Sequence, residues 1–399
     1  MNRLLPSGRR NRARAYFGAF PVCFLCALSF AGTSLFAQND AIGSQEPELP
    51  ATHQASLLQP FWVGKRVSNE PVFFLQAPHE KLATARLLFV PTKLLTICSV
   101  DGANTFIESK DFTWEHGTNL LTLTPHSKIP FKTWEEMHPP VGAEHTLGKT
   151  QDGKTSLYFI ENSPTFQNLQ PLVTYEHNSP WQGHIPQSDP IALARTMARL
   201  RAKQPIHIVV LGDSISAGAG ASSLFHEFPY QPGFVDLVAN GLRFRYGSEI
   251  FVTNLSEGGQ DTGWGAAKTA EVIAVKPDLV VLSFGGNDGS RRFTATEYER
   301  NNRTMVTAIQ TALPQADIIL TATMGANPEW DQSAFSFYPQ YLAALNRIKQ
   351  PGVAVADLTT VWADMLKIKK FDDLTMNGVN HPNDFGQRIY SHVVLQLFQ

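Results

Sequence analysis

Hydrophobic positions change their period twice along the chain. Between about Phe61 and Val173 they fall in short β-prone runs, PVFFLQ, ARLLFV, KLLTICSV, NLLTLT and TSLYFI, broken by Gly, Pro, Asn and Asp. Runs of this length, bounded by turn formers and without a helical stretch of ordinary length, predict an all-β unit, a sandwich or jelly roll. After Asp189 the period lengthens. IALARTMARLRA has helical spacing and leads into the strand-like IHIVVLG, residues 206–212. Strands and helices then alternate: FVDLVANGLRFRYG reads as helix, EIFVTNLS as strand, WGAAKTAEVIA as helix and DLVVLSFG as strand. TEYERNNRTMVTAIQTAL continues as helix, ADIILTAT as strand, YLAALNRIKQ and VAVADL as another pair, and NDFGQRIYSHVVLQLF as the last helix. Apolar strands joined by helical crossovers predict a parallel sheet with helices on both faces. Ligands of such sheets bind beyond the C-terminal ends of the strands. The residues that carry chemistry are therefore expected just after strands.

The first forty residues follow a different rule. Arg3, Arg9, Arg10, Arg12 and Arg14 precede the apolar AYFGAFPVCFLCALSFAG, and the polar SLFAQND follows. Basic head, apolar stretch and small residue before a polar start predict a secretory signal over residues 1–37, cleaved after Ala37. A retained membrane anchor is the competing reading, because the apolar stretch is about as long as the shortest spans. Residues 38–55 read as a flexible lead, 56–175 as the β-sandwich unit, 176–204 as linker and first helix, and 205–399 as the α/β domain. The expected location is secreted or periplasmic, with no stable membrane span after cleavage.

Composition narrows the partners. The chain has 33 basic and 35 acidic residues, and losing 1–37 removes five arginines and no acids. That balance argues against a polyanion or nucleic-acid partner. Two of the three cysteines, Cys23 and Cys26, would leave with the signal. The survivor, Cys98, lies in an apolar run and is expected to be a buried thiol without a disulfide partner. Oligomeric state is not legible.

The candidate chemistry begins where the first parallel strand ends, in LGDSISAG. Ser214 there can present its hydroxyl over the sheet edge, although a serine so placed can also cap the helix that follows. The second strand runs into NLSEGGQDTGWG, where Gly259 can present a backbone N–H, and the third into FGGNDGS, where Asn287 can aim its amide into the same crevice. A tetrahedral acyl-transfer intermediate needs several fixed donors around its oxyanion. The N–H groups of Ser214 and Gly259 and the Asn287 amide would supply them. Asp213 and Asp288 read as structural acids bonding loop N–H groups. Serine needs a base, and histidine has the pKa for that work near neutrality. His381, in NGVNHPNDFG after the last strand and before the final helix, is the one the fold can return to the crevice. The histidines at 138, 145, 177, 184, 226 and 381 lack the close pairing of HExxH, so no metal or other cofactor is implied.

These four blocks, GDSISAG, NLSEGG, GGND and the segment around His381, resemble the SGNH, or GDSL-type, hydrolase superfamily across roughly residues 205–399. The resemblance implies a flavodoxin-like parallel sheet. It also implies Ser214 as nucleophile, the N–H groups of Ser214 and Gly259 with Asn287 as oxyanion donors, His381 as base, and ester hydrolysis without cofactor. A β unit ahead of the hydrolase resembles two-domain carbohydrate esterases of that superfamily. One departure stands out. The family usually places an aspartate three residues before the histidine, whereas this chain has Gly378 there and Asn377 one step further back. Asn377, Asp373, Asp384 or a backbone carbonyl remain open as the group that orients His381.

The expected function is hydrolysis of short-chain carboxylic esters, above all O-acetyl groups of carbohydrate. An exported lipase or lysophospholipase and a non-catalytic glycan-binding protein are the alternatives. A lipase would need an apolar lid or groove, for which MGANPEWDQSAFSFY, Met324 to Tyr338, is the candidate. A glycan binder would need an aromatic face, for which Phe61, Trp62, Phe112, Trp114, Trp134 and Trp181 are candidates alongside an ordinary core role. Deletion of 38 to about 185 is expected to harm acetate release from an acetylated saccharide more than hydrolysis of a small aryl acetate, provided the remainder stays folded.

Overall fold

The short apolar runs of the first half are too brief to build one large sheet, and they form several small ones. The computed structural model describes residues 57–160 and 163–399. The expected signal, with Cys23 and Cys26, and the lead to residue 55 lie outside the described residues. The strands before the linker are β1 (Arg66–Pro71), β2 (Leu75–Gln76), β3 (Thr84–Arg86), β4 (Pro91–Cys98), β5 (Phe112–Trp114), β6 (Leu120–Leu123), β7 (Lys132–Thr133), β8 (Thr146–Leu147), β9 (Leu157–Tyr158) and β10 (Leu172–His177). They make an antiparallel sheet in the order β1-β10-β4 and a mixed sheet in the order β5-β6-β3-β2-β7, in which β2 and β7 are parallel. Strands β8 and β9 form a separate antiparallel pair.

After the linker the chain alternates as its periodicity predicts. Helix α1 (Ala194–Arg201) leads to β11 (Ile206–Gly212), followed by α2 (Phe234–Tyr246), β12 (Ile250–Asn254), α3 (Thr262–Val275), β13 (Leu279–Phe284) and α4 (Ala295–Ala312). Then come β14 (Asp317–Ala322), α5 (Tyr338–Ile348), β15 (Val353–Asp357), α6 (Leu358–Met365) and α7 (Asp384–Gln396). The sheet is parallel throughout, in the order β12-β11-β13-β14-β15, the flavodoxin-like arrangement. Helix α6 is not visible in the sequence pattern, because it starts without a break where β15 stops. Asp357 ends the strand and caps the helix, its side chain accepting from Thr360 N.

Alternation along the strands decides the layers. Ile208 and Val210 of β11 and Val281 of β13 face a core with Leu242 of α2 and Ile389 and Val393 of α7. Their neighbours Val209, Leu211, Val280 and Leu282 face the opposite core, with Val272 of α3, Met305 and Ile309 of α4 and Leu345 of α5. The first core does not stop at the linker. It continues through Phe74, Leu87, Leu121 and Tyr175 of the small sheets, so the β part and one helical layer share a single interior. Deletion of the β part would uncover the apolar residues of that shared interior. The same packing corrects the aromatic face. Phe61, Phe112, Trp114 and Trp181 are buried and Trp62 packs half-buried against them, because the apolar sides of these segments point into the shared core. Trp134 alone of the six is exposed. Cys98 is half-buried at the end of β4, and burial raises its thiol pKa, which keeps the group protonated.

Charges are buried where the two parts meet. Lys369, without solvent exposure, donates from Nζ to Glu70 Oε1 at 2.7 Å and to the carbonyls of Arg86 at 2.6 Å and Pro71 at 3.2 Å. Glu70 also accepts from Leu88 N at 2.9 Å and Tyr175 OH at 2.6 Å. A buried pair is tolerable only when its remaining hydrogen-bonding capacity is used, as here, and removing one partner strands the other charge. Lys369→Met is therefore expected to lower unfolding stability by about 3–5 kcal/mol in urea titrations. A loss under about 1 kcal/mol, the range of an exposed pair, would mean that Glu70 finds water or another cation.

Candidate active site

Ser214, Gly259 and Asn287 stand just beyond strands of the parallel sheet, and His381 in the loop before the final helix. Ser214 is two residues past β11, in a turn whose Asp213 carboxylate accepts from Ile215 N at 3.1 Å. Asp213 is buried, and burial above all, with Asp288 nearby, pushes its carboxyl up to about 7. His381 lies in the loop before α7, and the Ser214 hydroxyl meets its Nε2 at 2.9 Å. For Nε2 to accept that proton, the ring must be neutral with its own proton on Nδ1.

The approach of these two loops depends on Gly220. Its φ is +91°, and a Cβ there would stand 1.9 Å from the carbonyl oxygen of Pro382, so any larger residue would push the histidine segment away. On the other side of Ser214, the loop after β12 comes close enough that a Cβ on Gly258 would lie 3.9 Å from Ser214 Cβ. Gly259 follows in that loop, and Arg291 Nη2 holds its carbonyl at 2.9 Å. Asn287, three residues past β13, donates from Nδ2 to Gln260 O at 2.9 Å. Its second amide hydrogen remains for a ligand. Asp288 is structural, accepting from Thr262 N at 3.1 Å and from the Thr262 hydroxyl. Burial pushes its carboxyl up to about 6.

Two contributors escaped the sequence reading. Asn254 donates to Ser216 O at 2.7 Å, tying the end of β12 to the nucleophile turn. Arg291 pairs with Asp261, the cap of α3, while it holds Gly259. The available signal for Arg291 was its position one helical turn after Asn287, a spacing too common to select it.

None of the open candidates orients the His381 ring. Asn377 Oδ1 accepts from Val379 N, Asn380 N and His381 N at 3.0, 3.0 and 3.2 Å, so it folds the loop and holds the histidine backbone rather than the imidazole. Asp373 accepts from Phe73 N at 2.6 Å and Lys370 N at 2.8 Å. Asp384 accepts from Ser222 N at 2.8 Å and Gln167 Nε2 at 3.2 Å. Among the described residues neither a carboxylate nor a backbone carbonyl hydrogen-bonds to Nδ1. An aspartate at 378 would not fit. Gly378 has φ +74°, and a Cβ would meet the Phe166 ring at 3.1 Å and Asp372 Oδ1 at 3.2 Å. With burial unopposed by a neighbouring anion, the His381 pKa falls to about 4.

A serine hydroxyl bonded to an imidazole at the C-terminal edge of a doubly wound parallel sheet is an arrangement capable of nucleophilic serine chemistry. Residues 210–389 match the GDSL-like Lipase/Acylhydrolase family. It is 32% identical over 104 residues to an arylesterase of Vibrio mimicus, covering 26% of this chain and 48% of that protein. It is 29% identical over 142 residues to Esterase TesA of Pseudomonas aeruginosa, covering 35% of this chain and 62% of that protein. The chain thus spans about half to three-fifths of these relatives. Among solved structures it is similar to a two-domain esterase active on acetylated mannans, with 18% identity, a TM-score of 0.42, and coverage of 53% of this chain and 54% of the other. No group of three or more His, Cys, Asp or Glu that could hold a metal occurs among the described residues, nor does any helix there have the length and apolarity to cross a membrane.

A base works only when unprotonated, so a lowered pKa moves the loss of function to lower pH. Labelling of Ser214 by a serine-reactive phosphonate should accordingly hold down to pH 5 to 6 and fall with a midpoint at about 4. A midpoint in the ordinary histidine range would mean that an anion reaches Nδ1 in solution.

Proposed function

We propose that this chain is a serine esterase acting on short-chain carboxylic esters, with carbohydrate O-acetyl groups as its substrate class. The observation that carries the reading is the 2.9 Å hydrogen bond between Ser214 Oγ and His381 Nε2. His381 takes the hydroxyl proton as Ser214 attacks the ester carbonyl. The oxyanion meets the N–H groups of Ser214 and Gly259 and the free amide hydrogen of Asn287. His381 then protonates the departing alcohol, and water, deprotonated by the same ring, releases the acid from the acyl-serine. Both curated relatives are named as esterases, which supports the reaction class.

Acyl length follows from what the surroundings lack. The stretch from Met324 to Tyr338 is no lid: Met324, Ala326, Trp330, Ala334 and Tyr338 are buried. Asn327 ties it down, its N–H donating to Val379 O at 2.7 Å and its Nδ2 to Gly378 O at 2.8 Å. The loop beside Ser214 instead carries the exposed Glu257 and the half-buried Gln260, which are joined at 2.7 Å and suit a hydroxyl-rich alcohol better than a long acyl chain. Export to meet such a substrate is part of the proposal.

Ser214→Ala should abolish p-nitrophenyl acetate turnover in a protein that remains folded, and rates should decline from acetyl through butyryl to longer esters. A preference for long acyl chains would replace the acetylesterase reading with a lipase, and full turnover by the variant would remove Ser214 from the mechanism. Absence of turnover in the wild type, with glycan binding retained, would make the chain a binding protein. Asn287→Ala should lower kcat by about 100- to 1,000-fold, the usual cost of one oxyanion donor. A loss confined to KM would reassign Asn287 to ground-state binding.

A further inference from the structure

A histidine without an orienting carboxylate still has to be held. The segment from Phe371 to Asp384 that carries His381 is fastened by side chains from the other end of the chain. Gln170, two residues before β10, is fully buried, and its amide meets this segment at three points. Nε2 donates to Asp372 O at 2.5 Å and to Thr375 O at 2.7 Å, while Oε1 accepts from Asn383 Nδ2 at 3.0 Å. One planar amide thus grips the chain on both sides of His381, six residues before it and two after. Asn383 extends the grip through a second Nδ2 bond to Asp373 O at 2.9 Å and a backbone bond to Leu374 O at 3.0 Å. Phe73 N and Phe166 press on the same loop, at Asp373 Oδ1 and at the face of Gly378.

We propose that Gln170 is the positioning residue for His381, doing through the loop backbone what a family aspartate does through the ring. The proposal rests on the reading of Ser214 and His381 as nucleophile and base. The β part then belongs to the catalytic apparatus: it supplies the template on which the base is set. An amide suits this task better than a carboxylate would, because two of its three partners are carbonyls and require a donor. Fixing the main chain leaves the imidazole neutral and shielded, whereas a carboxylate at Nδ1 would raise its pKa.

Gln170→Ala in the full chain should lower kcat for p-nitrophenyl acetate by about 100-fold, the scale of a misplacement near 1 Å, with KM almost unchanged. In a His381→Ala background the same change should cost less than about twofold, because there is no base left to position. Equal losses in both backgrounds would overturn the proposal. Asn383→Asp keeps the α7 cap but removes the donor to Gln170 Oε1, and it should show the same dependence on His381 even if Gln170→Ala folds poorly. NMR titration of His381 gives a readout independent of turnover. Loosening the loop should admit water and raise the imidazole pKa toward the ordinary histidine value, and an unchanged titration in both variants would overturn the assignment of Gln170. If the wild type turns over no ester, the esterase reading alone falls and the titration still decides the positioning role.

Discussion

A lysine ammonium with no access to water must find its counter-charge inside the fold, and Lys369 finds it in Glu70 almost three hundred residues earlier in the chain. Everything near the histidine loop is organised around that requirement. Glu70 sits in β1, in register with β10. Strand β10 begins two residues after Gln170 and delivers Tyr175 to the same carboxylate. Four residues beyond Lys369, Asp373 takes the backbone of Phe73. The ion pair, the shared apolar core and the bonds to the loop are parts of one seam.

The α/β half was legible because its strands are buried on both faces and its helices are long enough to show a period. Val209 and Val210 point to different cores, yet both are apolar, and that continuous run is what a parallel strand between two helical layers requires. The β half was legible in class but not in arrangement. Its two- and three-residue strands carry no register signal, and its aromatic residues look alike in sequence whether they face sugar or core. Phe112 and Trp114 face the core, whereas Trp134 starts a one-turn helix and stays at the surface.

The site divides in the same manner. Ser214, Gly259 and Asn287 could be picked out because each stands in a short block just past a predicted strand, and His381 because its block directly precedes the last predicted helix; both are local properties. The residues that hold those blocks are non-local. Gln170 bonds to Thr375 across 205 positions, and nothing in PTFQNLQP marks its last glutamine as different from the others. The support of the imidazole was hidden for a further reason: Asn377, Asp373, Asp384 and a backbone carbonyl were all candidates to meet the ring itself. The loop is instead built on Asn377 and Gln170, which bind backbone.

The separation between the two sides of the seam has a consequence for biosynthesis. Phe73 and Asp373 are 300 residues apart, and the β part lacks a complete interior until the last helices exist. A chain emerging from the ribosome N-terminus first therefore holds β1, β4 and β10 as half-finished surfaces for most of its synthesis, with their apolar sides uncovered. Contacts of such long range close late and slowly. The nascent protein is thus exposed to mispairing until its final segment arrives, and the segment that ends this vulnerable interval is the one that brings the histidine.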